Sequence, residues 1–76
     1  MIPEVKLFDL VALLRDLPGT ALVAGNVGTI VEVLSDGDAY LVEFGGASGE
    51  TFAIEPLRPQ DFLVLRYEPQ SANVSG

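Results

Sequence analysis

Between Gly25 and Val33 the chain runs Gly-Asn-Val-Gly-Thr-Ile-Val-Glu-Val, and no other stretch narrows its fold so far. Val27, Thr29, Ile30, Val31 and Val33 each carry two heavy atoms on Cβ, which suits an extended backbone better than a helix. Gly25 and Gly28 open the run. A glycine can take backbone angles closed to other residues, or let a neighbouring chain pass where a side chain would collide. The stretch predicts a tight turn leading into the central strand of a small all-β domain.

Seventy-six residues make one domain. A domain of this size buries only about 60% of the surface its unfolded chain exposes, so its stability margin is thin. Cysteine and histidine are both absent, which removes disulfides and zinc sites of the usual ligands as staples. Yet 49% of the residues are hydrophobic and the mean hydropathy is +0.39. A small barrel has few interior positions, so part of this apolar surface is expected to face outward and meet a partner. An oligomer or a docking module is the consequence.

Lys6, Arg15, Arg58 and Arg66 stand against eleven acidic residues, a formal charge of -7. Binding nucleic acid requires a cationic footprint that releases counterions from phosphate, and attraction to anionic lipid requires one too. Neither nucleic acid nor a membrane is therefore an expected partner. The acidity reads as a solubility device, with an acidic docking face for a basic partner as the alternative. Glu4 and Asp9 interrupt any secretory apolar segment, and no apolar run reaches the length of a membrane span. The expected location is cytoplasmic.

Along the chain, Pro3 opposes a regular start. Leu7, Leu10, Val11 and Leu14 fit helical spacing, while Leu10 to Leu14 fits equally a strand buried on both faces. Pro18-Gly19 breaks the chain, and Thr20 to Gly25 completes a long loop. A strand over Val27 to Leu34 ends at Asp36-Gly37, a tight hairpin signal. Tyr40, Val42 and Phe44 of the next strand share one face, and Leu41 and Glu43 the other. Gly45 to Gly49 makes a loose turn, Glu50 to Ile54 a partner strand, and Pro59-Gln60-Asp61 suits one turn of 3₁₀-helix. Phe62 to Tyr67 closes the domain as a last strand. With Leu63 and Leu65 inward, the two-residue rule sets Phe62, Val64 and Arg66 outward. Residues 1–68 are expected to form the domain and 69–76 a flexible C-terminal tail.

Strand, long loop, three-strand meander, 3₁₀ turn and strand is the plan of a small, partly open SH3-like barrel. The residues Asp9 to Leu14, Gly25 to Val33 and Tyr40 to Phe44 resemble a family of short bacterial proteins known as a domain of unknown function. Its members carry a "D-V-A-L-L, G-x-x-G-T-I-V-E, Y-x-V-E-F" series, and the likeness covers residues 7 to 67. It implies an SH3-like fold, and so a strand over Leu10 to Leu14, without implying an activity. At greater distance Gly25-x-x-Gly28-Thr29-Ile30 is similar to the KOW motif of ribosomal proteins and elongation factors, where a glycine at the position of Gly28 lets the strand bend. KOW proteins that hold RNA use basic loops, and here the loops are acidic or neutral.

Catalysis would need a nucleophile or an acid–base pair in a cleft. Ser35, Ser48 and Thr51 have no histidine to activate them, and Lys6 is far from all three in sequence. Asp36-Gly37-Asp38 resembles the start of a calcium loop, but the later ligands and closing Glu are missing, and a turn accounts for both aspartates. Gly45, Gly46 and Gly49 are not followed by Gly-Lys-Ser/Thr and make no phosphate loop. Glu32 and Glu43 are placed to share a face with Arg58 or Arg66. The chain is expected to be a non-enzymatic interaction or self-association module, a homodimer being one form of it. It is expected to need no cofactor, metal or small molecule. Gly25, Gly28, Asp36 and Gly37 are its turn-forming residues, and Leu41, Phe52, Phe62, Val64 and Tyr67 its candidate interface. Phe52 and Tyr67 could also line a peptide groove. The alternatives are an acidic, antitoxin-like or accessory partner of a basic protein, and a KOW-type protein linked to nucleic acid.

Overall fold

The structure, a computed structural model, describes residues 5–46 and 50–66. The expected tail, Tyr67 and Ser48 lie outside them. Among the described residues the chain is all-β: β1 (Leu10–Leu13), β2 (Val27–Leu34), β3 (Ala39–Gly45), β4 (Thr51–Leu57) and β5 (Phe62–Val64). They form one antiparallel sheet in the order β4-β3-β2-β1-β5, which is not closed. Residues 10–13 are thus strand, and the 3₁₀ turn before β5 spans Pro59–Asp61. No described helix is long and apolar enough to cross a membrane.

Inward residues of all five strands meet in a core of Val11, Leu13, Ile30, Tyr40, Val42, Phe44, Leu57 and Phe62. The loop between β1 and β2 adds Leu17 and Leu22 to it. That loop is ordered by its own polar groups. Thr20 Oγ1 donates to Leu17 O (2.8 Å) and accepts from Leu22 N–H (3.0 Å). Asp16 Oδ1 accepts from Ala24 N–H and Asn26 Oδ1 from Val23 N–H. A segment without regular structure therefore caps the core with two leucines whose N–H groups both find partners, Leu17 N–H donating to Leu22 O and Leu22 N–H to Thr20 Oγ1.

The two glycines that open β2 act differently. Gly25 has φ +94°, the left-handed region, and its N–H donates to Leu13 O at 2.8 Å. Gly28 is in β2 itself rather than in a turn, and a Cβ there would meet Val42 Cγ1 at 2.7 Å and Phe44 Cδ1 at 2.9 Å. Its missing side chain is the seat of Phe44, among the largest fully buried side chains. Beyond Ile30 a bulge shifts the register, so that Glu32 faces Leu41 and Val33 faces Tyr40.

At the β2–β3 turn Asp36 (φ 56°, ψ 31°) and Gly37 (φ 102°) hold the central positions of a turn closed by Asp38 N–H to Ser35 O, 3.1 Å. Those angles match the mirror-image turn that hairpins favour. Ser35 is left-handed too, so the loop occupies four residues and the strands pair from Leu34 and Ala39 outward. Strand β4 runs three residues further than expected, through Pro56. Proline is tolerated there because β4 is an edge, hydrogen-bonded to β3 alone.

The last strand corrects the expected phase. Phe62 pairs with Leu13 and is 5% exposed, packed edge-on against Tyr40 with ring centroids 5.8 Å apart. Val64 pairs with fully buried Val11 and packs against the core, whereas Leu63 is 55% exposed. An unbroken Phe-Leu-Val-Leu run has no polar residue to mark its outer face. Arg66 does not mark it either, because β5 ends at Val64.

Candidate interaction surface

Of the expected interface residues, Phe62 belongs to the core, Val64 is half-buried against it, and Tyr67 lies outside the described residues. Leu41 is half-buried on the outer face between Glu32 and Pro56, and Phe52 is 60% exposed at the start of β4. Glu32 and Glu43 make no ion pair with Arg58 or Arg66 among the described residues; Glu43 instead accepts a hydrogen bond from the Thr51 hydroxyl. No group of three metal-ligating side chains converges among the described residues.

Pairing sorts the outward residues into rows. Leu63 of β5 stands opposite Ala12 of β1, and Ala12 opposite Val27 of β2. Thr29 stands opposite Glu43, so two residues on Val27 comes level with Gly45 of β3, itself opposite Thr51. One row therefore crosses all five strands at the end of the sheet beside the β1–β2 loop. Leu63 and Val27 project from it, the latter 49% exposed, and Phe52 and Ile54 continue the apolar character onto β4.

Gly45 gives that row no side chain, and a cleft of about 330 Å³ opens between Val27 and Phe52. Buried Leu22 and Phe44 line its floor, with Asn26 and Gly46 at the sides. None of these residues is ionisable, and Asn26 Oδ1 is occupied by Val23 N–H. The Glu50 side chain leans over Gly46, where a Cβ would meet its Oε2 at 2.6 Å. A second cleft, about 490 Å³, lies between the β2–β3 turn and the crossover before β5, lined by Ser35, Asp38, Arg58 and Gln60 among others. It has no apolar floor.

Both edges of the open sheet are blunted. Strand β5 is three residues long; β4 carries Pro56 and turns Glu55, opposite Val42, toward the inner face. Short edges, prolines and inward charges all discourage strand addition. What the sheet leaves available is its face.

Sequence reasoning missed Leu63, Val27, Leu22 and Gly45 here. Gly45-Gly46 after Phe44 was a readable signal, but it reads as a loose turn. Only the register places Gly45 level with exposed Val27, with exposed Phe52 one residue beyond its β4 partner Thr51.

A family model described as "Domain of unknown function (DUF4926)" matches residues 7–64. No curated protein and no solved structure matches the chain.

Proposed function

Since the chain belongs to the DUF4926 family, whose description assigns no activity, we propose from its own geometry that it is a non-enzymatic protein-interaction module. The observation that carries this is the row Leu63–Ala12–Val27, uncharged and outward across three strands, with Leu63 and Val27 about half exposed. Burying a side chain of this kind is worth about 1.5–3 kcal/mol, so a partner that covers the row gains appreciably. The edges favour docking by face over strand addition. The hydroxyl and carboxylate groups support no catalytic reading, because among the described residues no side-chain hydrogen bond adds a third group to the Thr51–Glu43 pair. Charge opposes the nucleic-acid reading: of four basic side chains Arg15 is already committed to Asp61.

The test is the fate of the row. Sedimentation of the purified chain, alone and as Leu63→Glu, reports self-association; a photoreactive residue at position 63 in cells, with one at position 60 as control, reports a different partner. A concentration-dependent mass abolished by Leu63→Glu supports docking between copies. A crosslink from position 63 but not 60 supports docking to another protein. A monomer without a position-specific crosslink overturns the proposal, and so does a micromolar RNA complex that weakens with salt.

A further inference from the structure

We infer that the cleft between Val27 and Phe52 receives one apolar side chain from a basic segment of a partner protein. This deepens the docking reading above and rests on it. The first argument is the cleft's composition. Leu22 and Phe44 form an apolar floor, Val27 and Phe52 half-exposed apolar walls, and among the described residues no ionisable group lines it. A site for a small molecule usually adds convergent polar groups that fix the ligand's orientation. Here the one side-chain amide, Asn26, already uses its oxygen within the loop. The cleft offers shape and apolar contact, which suits an anchoring side chain held by a longer polypeptide.

The second argument is charge. The charged residues of the strands that build the cleft are all acidic. Those on its side are Glu43 on β3 and Glu50 just before β4, since Glu32 stands at the hairpin end of β2 and Glu55 faces inward. None of the four basic residues lies on β2, β3 or β4. The Glu50 carboxylate stands at the margin, against Gly46. A second copy of this chain would bring its own surplus of seven negative charges to that margin, whereas lysines or arginines flanking the anchor would meet complementary charge.

The third argument is Gly45. Its φ is outside the left-handed region, and an added Cβ would come no nearer than 3.4 Å to the Glu50 carbonyl oxygen. Neither backbone strain nor crowding requires glycine there, unlike at Gly25 and Gly28. What the missing side chain does is leave the cleft open.

Three synthetic peptides test this by amide chemical-shift mapping on the full chain: a central Phe flanked by Lys and Arg, the same flanks around Ala, and the same Phe flanked by Glu. The expected result is saturable shifts at Leu22, Val27, Phe44 and Gly46 with the first peptide only. Gly45→Val, which fills the cleft, should weaken binding tenfold or more, and Glu50→Lys about threefold or more, both with an unchanged melting profile. Binding as tight by the Ala-centred peptide, shifts confined to other surfaces, or undiminished binding of the first peptide by a folded Gly45→Val would overturn the assignment. Should Gly45→Val fail to fold, Phe52→Ala takes its place, with the same loss expected and retention overturning it. If position 63 crosslinks a partner while the peptides show no anchor dependence, this assignment fails alone. If neither engages anything, the docking reading falls with it.

Discussion

Arg15 and Asp61 stand 46 residues apart in the chain, and Arg15 Nε lies 3.0 Å from Asp61 Oδ1. Asp61 is the one buried charged residue among those described, and it is fully engaged. Its Oδ2 accepts from Arg58 N–H at 2.9 Å, its own N–H donates to Arg58 O at 2.8 Å, and its carbonyl accepts from Leu14 N–H at 2.9 Å. A single residue thus closes the 3₁₀ turn and ties it to the end of β1, immediately before β5 begins at Phe62.

The Asp61 carboxyl is held below its usual value, chiefly by the Arg58 backbone N–H; burial opposes this, and the Arg15 guanidinium adds to the lowering. A depressed folded-state value means that the stabilisation is complete above the unfolded-state pKa of about 3.9 and is lost as pH falls through the folded value. Asp61→Asn should cost about 1–3 kcal/mol at pH 7, because a buried donor loses its charged acceptor. Arg15→Ala should cost less than about 1 kcal/mol, its side chain being 53% exposed. Urea midpoints of wild type and Asp61→Asn at pH 7 and pH 3 check this: the gap should narrow in acid. A gap independent of pH would dissociate Asp61's charge from stability.

Three glycines should rank by cause. Gly28→Val should destabilise by about 1–3 kcal/mol, since Val42 and Phe44 must move. Gly25→Ala should cost about 1 kcal/mol, from its left-handed φ with no crowding. Gly45→Ala should lie within about 0.5 kcal/mol of wild type. Denaturant midpoints give the order directly. Equal midpoints for wild type and Gly28→Val would refute the close packing at Gly28.

Adjacent residues of β5 should respond oppositely. Phe62→Ala should cost about 3–5 kcal/mol as a core truncation. Leu63→Ala should stay within about 1 kcal/mol, because its side chain stands in solvent. Thermal melts distinguish them, and a larger loss at Leu63 would reverse the register with β1.

The amino-acid sequence alone determined what depends on local preference and on totals. The β-branched run fixed β2 as a strand, Asp36-Gly37 its closing turn, and Pro59-Gln60-Asp61 the 3₁₀ turn; the inward set Tyr40, Val42 and Phe44 followed from alternation beside polar neighbours. Residues 7–14 fit helix and strand alike without a resemblance, because a segment apolar at every position but Asp9 satisfies both periodicities. For the same reason the expected phase of β5 is wrong. Tertiary structure decided the rest: that Leu13 faces Phe62, that Leu17 and Leu22 of an irregular loop cap the core, that Asp61 reaches Arg15, and that Gly45 comes level with Val27. Those relationships are pairings between distant segments. Their register is chosen by packing summed over the whole sheet, and no local stretch of chain carries that sum.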